Sequence, residues 1–154
     1  MLKNFARLLA VPAFAVVMAA VPTSASAAGG GGGTGLNVTI GSASVQARLL
    51  VTVPVTVTCT GPLADTVLGS GSVNVFIEQA NGQSVSHGSG VAFFTFCSSS
   101  PQTINVLVTP DSFTTPPSTA FHGGPAVATA FAGAVDPTFT IFEGGSAGPE
   151  VIKL

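Results

Sequence analysis

The chain has 154 residues, of which only 6% are charged and 46% are hydrophobic, with four basic residues against six acidic ones. Two basic residues lie in an N-terminal segment that we expect to be removed. The remaining two basic residues against six acids give a formal charge of −4. Two basic side chains cannot neutralise a run of phosphates, so the composition excludes nucleic acid as a partner and argues against anionic membrane surfaces.

The first 27 residues have the pattern of a secretory signal peptide. Lys3 and Arg7 form a short positive region, and the apolar run from Leu8 to about Val21 is too short to cross a bilayer. Ala25-Ser26-Ala27 fits a small-x-small cleavage site. We therefore predict cleavage after Ala27, no stable membrane anchor and a secreted, extracellular protein. The alternative interpretation is an uncleaved anchor.

Residues 28–35 contain the unbroken glycine run Gly29–Gly33. Glycines offer no side chains whose packing could offset their backbone entropy, so this segment is predicted to be a flexible tether. A phosphate-binding loop is the alternative, but no strand precedes the run and no Gly-Lys-Ser/Thr follows it. The remaining residues, 36–154, form one predicted domain.

Strand patterning is clearest in the segment Val51–Thr60. Valines and Cys59 occupy its odd positions, whereas threonines and Pro54 occupy the even ones. Because side chains alternate between the faces of a strand, the valines and Cys59 are predicted to point inward and the threonines outward. Pro54 lacks an N–H group and predicts an edge, a bulge or a change of sheet.

The strand candidates that follow are spaced as in an antiparallel sandwich. Ala80-Asn81-Gly82-Gln83 predicts a hairpin turn, and the segment Pro110–Pro125 predicts a long surface loop. The predicted fold is all-β: a single immunoglobulin-like antiparallel β-sandwich of about seven to nine strands. The further candidates are Val73–Ile77, Ser84–Ser86, Val91–Cys97, Ile104–Val108, Ala126–Phe131, Phe139–Phe142 and Val151–Leu154.

The two cysteines, Cys59 and Cys97, are predicted to form a disulfide, because both follow a signal peptide and both lie on candidate strands. Cys97 shares its parity with Val91 and Phe93, which we interpret as an inward set. A metal pair and a reactive thiol are the alternatives, although two cysteines without a nearby third ligand make a poor zinc site.

No motif indicates catalysis, and we predict no catalytic, cofactor-binding or metal-ligating residue, no cofactor and no enzyme. Gly144–Gly148 matches G-x-S-x-G, but no helix follows it, so it is interpreted as a turn. His87 and His122 are the only histidines, and a Ser-His-Asp arrangement is possible only on paper in so serine-rich a chain. Glu143 and Glu150 are interpreted as two solvated acids rather than a paired carboxylate site.

The strand Val91–Cys97 is apolar on both faces, because Phe94 and Phe96 share one parity and Phe93 has the other. We expect the strand to be central, or covered by the loop that carries Phe113 and Phe121. An exposed cleft for an apolar ligand or partner is the alternative.

Several segments recur in an order that resembles a known group of proteins. They are Cys59-Thr60-Gly61, Gln79-Ala80-Asn81-Gly82, Gly88-Ser89-Gly90, Cys97 and Phe121-His122-Gly123-Gly124. Together with the signal peptide they resemble small exported proteins of actinobacterial type whose function is unassigned. The ending Gly148-Pro149-Glu150 is similar to that of the neocarzinostatin-type apoproteins, which are secreted immunoglobulin-like sandwiches that hold an apolar chromophore. Those proteins usually have four cysteines, whereas this chain has two.

Three functions are compatible with this sequence. The first is a non-enzymatic exported structural or interaction module with a protein partner. The second is a binder of a small apolar ligand, and the third is a hydrolase. An open apolar pocket would favour the second, and a histidine within reach of both a serine and an acid would favour the third.

Overall fold

The structure is a computed structural model that describes residues 35–47, 49–112 and 117–154. These residues form eight strands and no helix, which confirms the all-β prediction and a strand number between seven and nine. The predicted signal peptide 1–27 and the predicted tether up to residue 34 lie outside the described residues. The strands are β1 (Leu36–Ile40), β2 (Ser44–Ala47), β3 (Leu50–Cys59), β4 (Thr66–Asn81), β5 (Ser84–Cys97), β6 (Gln102–Pro110), β7 (Pro125–Val135) and β8 (Phe142–Lys153).

All paired strands are antiparallel, and they follow the order β1-β3-β6-β5-β4-β7-β8, with β2 paired to β3. The connection between β5 and β6 consists of only two residue pairs, Gly88 with Pro110 and Ser89 with Thr109. This short connection divides the strands into two groups. We name β1, β2, β3 and β6 the threonine group, and β4, β5, β7 and β8 the phenylalanine group, after the side chains that each group turns outward.

Both groups bury their inward side chains in one apolar core. The predicted alternation of β3 is confirmed, because its four odd-numbered valines and Cys59 are buried and its threonines are not. Burial of one such valine is worth about 1.5–3 kcal/mol relative to exposure. Other inward residues include Val73, Val75 and Ile77 of β4, Val106 and Val108 of β6, and the alanines of β7.

Pro54 lies on an internal strand, at a position where its missing N–H group is not needed. On one side of β3, Val55 pairs with Ile40 of β1 and Thr52 pairs with Ser44 of β2. Pro54 lies opposite the break between these two partners, and its carbonyl oxygen accepts a hydrogen bond from the backbone N–H of Gly41 at 2.7 Å. The position is therefore neither an edge, a bulge nor a change of sheet, as the sequence predicted, but a change of neighbouring strand.

The predicted disulfide is present between Cys59 and Cys97, with Cα atoms 5.7 Å apart. It joins β3 of the threonine group to β5 of the phenylalanine group. The inward set assigned to Cys97 was wrong, because Val91 and Phe93 are exposed whereas Cys97 is fully buried. The strict alternation of β5 ends after Phe94, opposite an irregular stretch of β4 that shifts the register.

The Asn81-Gly82 turn is confirmed between β4 and β5, which are longer than the predicted segments. Two predictions near the C-terminus were wrong. Phe139 lies in the turn before β8, and Gly144–Gly148 lies within β8 rather than in a turn. The reason is a close approach of β1: a Cβ atom on Gly145 would overlap the carbonyl oxygen of Leu36. Glycine is needed there for space between two strands.

Candidate functional site

The outward side of the phenylalanine group carries several large apolar side chains that solvent reaches. Four of them are Phe76 of β4, Val91 and Phe93 of β5, and Phe131 of β7. Asn74 pairs with both Val91 and Phe131 in the sheet, so these residues lie in adjacent strands. The rings of Phe76 and Phe131 meet edge to face with centroids 6.1 Å apart. We name these four residues the outer apolar face.

The expected cover over this strand was wrong for Phe93, which is 74% exposed, and for Phe96, which is 44% exposed. Phe94 points inward and is half-buried. Phe121 does not reach Phe94 or Phe96, because its ring lies against Gly88, six residues earlier on β5. Phe113 lies outside the described residues. The described part of the loop, residues 110–112 and 117–124, therefore leaves the outer apolar face open.

The loop before β7 is bound to the other side of the sheet. Gln79 is fully buried, and its amide donates to the carbonyl oxygen of His122 at 2.7 Å and accepts from the backbone N–H of His122 at 3.0 Å. Ser118 Oγ accepts from the backbone N–H of His87 at 2.6 Å and donates to its carbonyl oxygen at 2.7 Å. These bonds hold Phe121, which is 1% exposed, in the core.

Charged groups are rare on the outward side of the phenylalanine group. Glu78 and His87 are neighbours in the register of β4 and β5, and His87 Nδ1 lies 3.5 Å from Glu78 Oε1. Ser89 Oγ, in the next outward position, donates to Asp111 Oδ1 at 2.8 Å. One end of the outer apolar face is therefore bordered by a paired acid and histidine.

A second candidate site surrounds Glu143, and it overturns the interpretation of this residue as a solvated acid. Glu143 is only 6% exposed, and its Oε1 accepts a hydrogen bond from the backbone N–H of Leu63 at 3.1 Å. Its Oε2 is buried and accepts no hydrogen bond from the residues that the structure describes. Burial of a carboxylate oxygen without a donor is costly, so this atom needs an explanation.

The backbone of two glycines lies against the carboxyl group of Glu143. A Cβ atom on Gly35 would lie 2.7 Å from both carboxyl oxygens, and one on Gly61 would overlap Oε1. An adjoining pocket of about 420 Å³ is lined by Gly35, Thr60, Gly61, Pro62, Ile141 and Phe142 as well as Glu143. We name this cavity the Glu143 pocket.

Glu150 differs from Glu143 although both lie on β8. It is half-buried, and burial raises its pKa above the usual value. Seven steps along β8 at about 3.3 Å each separate the two residues by about 23 Å. They therefore do not form the paired carboxylate site that the sequence left open as an alternative.

Two loop aspartates hold turns. Asp136 accepts hydrogen bonds from the backbone N–H groups of Ile141 and Thr140, both at 2.7 Å, and of Thr138 at 3.1 Å. These bonds, that to Ile141 foremost, hold the pKa of Asp136 well below its usual value. Asp65 accepts from the backbone N–H of Ser99 at 2.9 Å, which also lowers its pKa.

The histidines do not assemble a hydrolytic site in the described part of the chain. The ring of His87 faces Glu78, and the ring of His122 contacts the carbonyl oxygen of Gly123 at 3.1 Å. Neither ring is hydrogen-bonded to a serine hydroxyl among the described residues. Across the same residues, no group of three or more His, Cys, Asp or Glu side chains has the arrangement of a metal site.

Comparison with protein-family models, with curated proteins and with solved structures finds no match to this chain. The resemblance to small exported proteins therefore stays a prediction. Within the described ranges, no helix is long and apolar enough to cross a membrane.

Sequence reasoning missed three features of the structure: the outward position of Phe76, the burial of Gln79 and the burial of Glu143. Phe76 has the opposite parity to Val73, Val75 and Ile77, which would have placed it outward. Gln79 has the inward parity of those three residues, which would have predicted a buried amide. No local signal in the sequence would have revealed the burial of Glu143, because Gly35 and Gly61 approach it from distant parts of the chain.

Proposed function

We propose that the chain is an exported, non-enzymatic interaction module, and that two copies associate through the outer apolar face. The observation that carries this proposal is the exposure of Phe76, Val91, Phe93 and Phe131 on one side of one group of strands. Contiguous exposed apolar side chains mark interaction sites more often than they serve a fold.

The size of the surface suits a pair of molecules. The outward side of the whole phenylalanine group spans four strands at about 4.8 Å, a width of about 19 Å, and eight steps along β5 from Val85 to Phe93, a length of about 27 Å. The resulting area is about 500 Å² for each copy. Two such faces together reach about 1,000 Å², which is the lower bound for a specific interface.

The charges on this side also suit a second copy. A twofold contact brings the same surface from both partners together, so a charge near the axis would meet its own copy. Two acids beside the outer apolar face have partners on their own chain: Glu78 Oε1 lies 3.5 Å from His87 Nδ1, and Asp111 Oδ1 accepts a hydrogen bond from Ser89 Oγ. Two sheets can therefore pack face to face at about 10 Å without an opposed pair of lone carboxylates.

Export and the immunoglobulin-like sandwich belong to the same proposal. The predicted signal peptide and the disulfide between Cys59 and Cys97 support export, because disulfides persist in oxidising compartments. Two groups of antiparallel strands around one core, joined by a disulfide, support the sandwich. Intact-mass measurement of culture supernatant should give a chain that begins at Ala28, and a mass that retains Met1 would contradict cleavage.

Sedimentation velocity of the mature protein over a range of concentrations tests the association. We expect a monomer–dimer equilibrium that Phe93→Ser weakens by about tenfold or more, because the substitution removes the most exposed ring of the outer apolar face. Phe139→Ser is the matched control, since Phe139 is 62% exposed but lies in the turn before β8. A protein that stays monomeric at about 100 μM, or equal effects of the two variants, would refute the proposal.

A further inference from the structure

We propose that the Glu143 pocket binds an organic monocation, a primary ammonium group attached to an apolar body. The inference is independent of the association through the outer apolar face, because the pocket lies beside Ile141 and Phe142, at the start of β8. It rests on three features: the unsatisfied carboxylate oxygen, the absence of a cationic partner for it in the described part of the chain, and the apolar walls.

The carboxylate supplies the recognition group. Oε1 of Glu143 already accepts a hydrogen bond from Leu63, whereas Oε2 is buried and accepts none from the described residues. A buried oxygen with free lone pairs gains most from a donor that also carries positive charge, because a charge-assisted hydrogen bond is about twice as strong as a neutral one. An ammonium group has three N–H donors and fits this need.

Within the described ranges, no side chain of the protein supplies that cation. The close contact between an acid and a basic side chain found there joins Glu78 of β4 to His87 of β5, not Glu143. Lys153 lies ten residues after Glu143 on the same strand, which corresponds to about 33 Å. The donor must therefore come from another molecule or another part of the chain, and a small ligand can reach the pocket directly.

The walls determine the rest of the ligand. Pro62, Ile141 and Phe142 are apolar, and Phe142 is 68% exposed at the mouth of the pocket. A volume of about 420 Å³ lies within the range of small-molecule sites. An apolar body extending from the ammonium group would cover Ile141 and Phe142, and the ring of Phe142 can also face the cation.

A divalent metal fits these residues less well than an organic cation. Calcium takes six to eight oxygen ligands and usually more than one carboxylate. Glu143 is the sole carboxylate among the lining residues. Two lining positions are glycines, and three are apolar side chains that offer no oxygen ligand.

The probe for the experiment is n-hexylammonium, with n-hexanol as the uncharged molecule of the same length. Binding to the mature protein is measured by NMR titration or calorimetry at pH 7. We expect a dissociation constant for n-hexylammonium at or below about 10 mM, which a ligand of seven heavy atoms can reach. We expect binding of n-hexanol to be weaker by about tenfold or more, because it lacks the charge that Glu143 recognises.

Glu143→Gln is the decisive variant, and Glu150→Gln is its control on the same strand with the same change in charge. We expect the first to weaken n-hexylammonium binding by about tenfold or more and the second to leave it unchanged. If Glu143→Gln does not fold, Phe142→Ala is the deciding variant, because this exposed residue of the pocket wall can be truncated at little cost in stability. We expect Phe142→Ala to weaken n-hexylammonium binding about threefold or more.

Three results would overturn the inference. The first is the absence of n-hexylammonium binding up to about 50 mM. The second is equal binding of n-hexanol, which would show an apolar site without a role for the carboxylate. The third is unchanged binding by Glu143→Gln, or by Phe142→Ala where that variant is used.

Discussion

The threonine group and the phenylalanine group bury similar side chains but expose different ones. Inward, β3 places Val53 and Val55 in the core, and β4 places Val73 and Val75 there. Outward, β3 and β6 carry threonines, such as Thr56 and Thr103, whose hydroxyl oxygens lie 3.2 Å apart. On β4, β5 and β7 the outward side is instead occupied by the outer apolar face.

This difference shows which outward side chains the fold requires and which it only tolerates. The threonine group shows that β-branched polar side chains suffice on the outward side of a strand, since they suit the pleated backbone and interact with water. Phenylalanines at equivalent positions of the other group expose apolar area without adding to the core. Their presence is therefore better explained by a contact made outside the chain than by folding.

The largest expected effect on stability comes from truncating a side chain in the core that the two groups share. Phe121→Ala should lower the free energy of unfolding by about 3–5 kcal/mol, because it leaves a cavity against Gly88. Urea denaturation measures the change, and Phe93→Ala removes the same atoms from an exposed site as a control. Equal losses in the two variants would contradict the assignment of Phe121 to the core and Phe93 to the surface.

The covalent link between the groups should have the next largest effect. Cys59→Ala removes the disulfide and should cost about 2–5 kcal/mol of unfolding free energy. Titration of the unfolded, unreduced wild type should find no free thiol, because both cysteines are paired. One or two reactive thiols in that sample, or an unchanged urea midpoint in Cys59→Ala, would show that the two groups are held together without this bond.

β3 could be predicted from the sequence because its residues alternate regularly between the core and the outward side. Valine and threonine alternate over Val51–Thr58, so period, face and burial follow directly from the sequence. The hairpin at Asn81-Gly82 was equally local, since this dipeptide suits a tight turn. The disulfide depended on compartment and number of cysteines, and it was predicted correctly even though the parity assigned to Cys97 was wrong.

The features that sequence reasoning missed are those that depend on distant residues. The glycines of Gly144–Gly148 indicate a turn when only neighbouring residues are considered, but Gly145 admits the backbone of β1 beside β8. Glu143 likewise is a polar residue near a turn, and only the tertiary approach of Gly35 and Gly61 buries it. Neither approach leaves a periodic signal, because each pairs residues that are far apart in sequence.

Replacing the outward Phe93 by threonine, the residue type that the threonine group turns outward, tests the comparison of the two groups directly. Phe93→Thr should change the stability of the monomer by no more than about 0.5 kcal/mol, because the ring contributes little to the core. Urea denaturation at a concentration below the association range measures this change, since association would otherwise add to the apparent stability. A loss of more than about 2 kcal/mol would mean that the outward ring supports the fold after all.

The smallest expected effect concerns acid sensitivity of the turns at the ends of the two groups. Asp136 binds three backbone N–H groups in the turn between β7 and β8, whereas Asp65, after β3, binds one. Both pKa values are lowered in the folded protein, so each carboxylate adds stability above its unfolded pKa of about 3.8. That contribution is lost progressively as the pH falls below about 4, because protonation then favours the unfolded chain.

Melting temperatures measured between pH 7 and pH 2 should therefore fall less steeply in Asp136→Asn than in the wild type, and Asp65→Asn should show a smaller change of the same sign. The two variants alter net charge equally, so a difference between them reports the hydrogen bonds at each turn rather than general charge repulsion. If Asp65→Asn removed as much of the acid dependence as Asp136→Asn, the number of N–H donors would not determine the effect. The turn between β7 and β8 in the phenylalanine group would then be no more sensitive to acid than the turn after β3 of the threonine group.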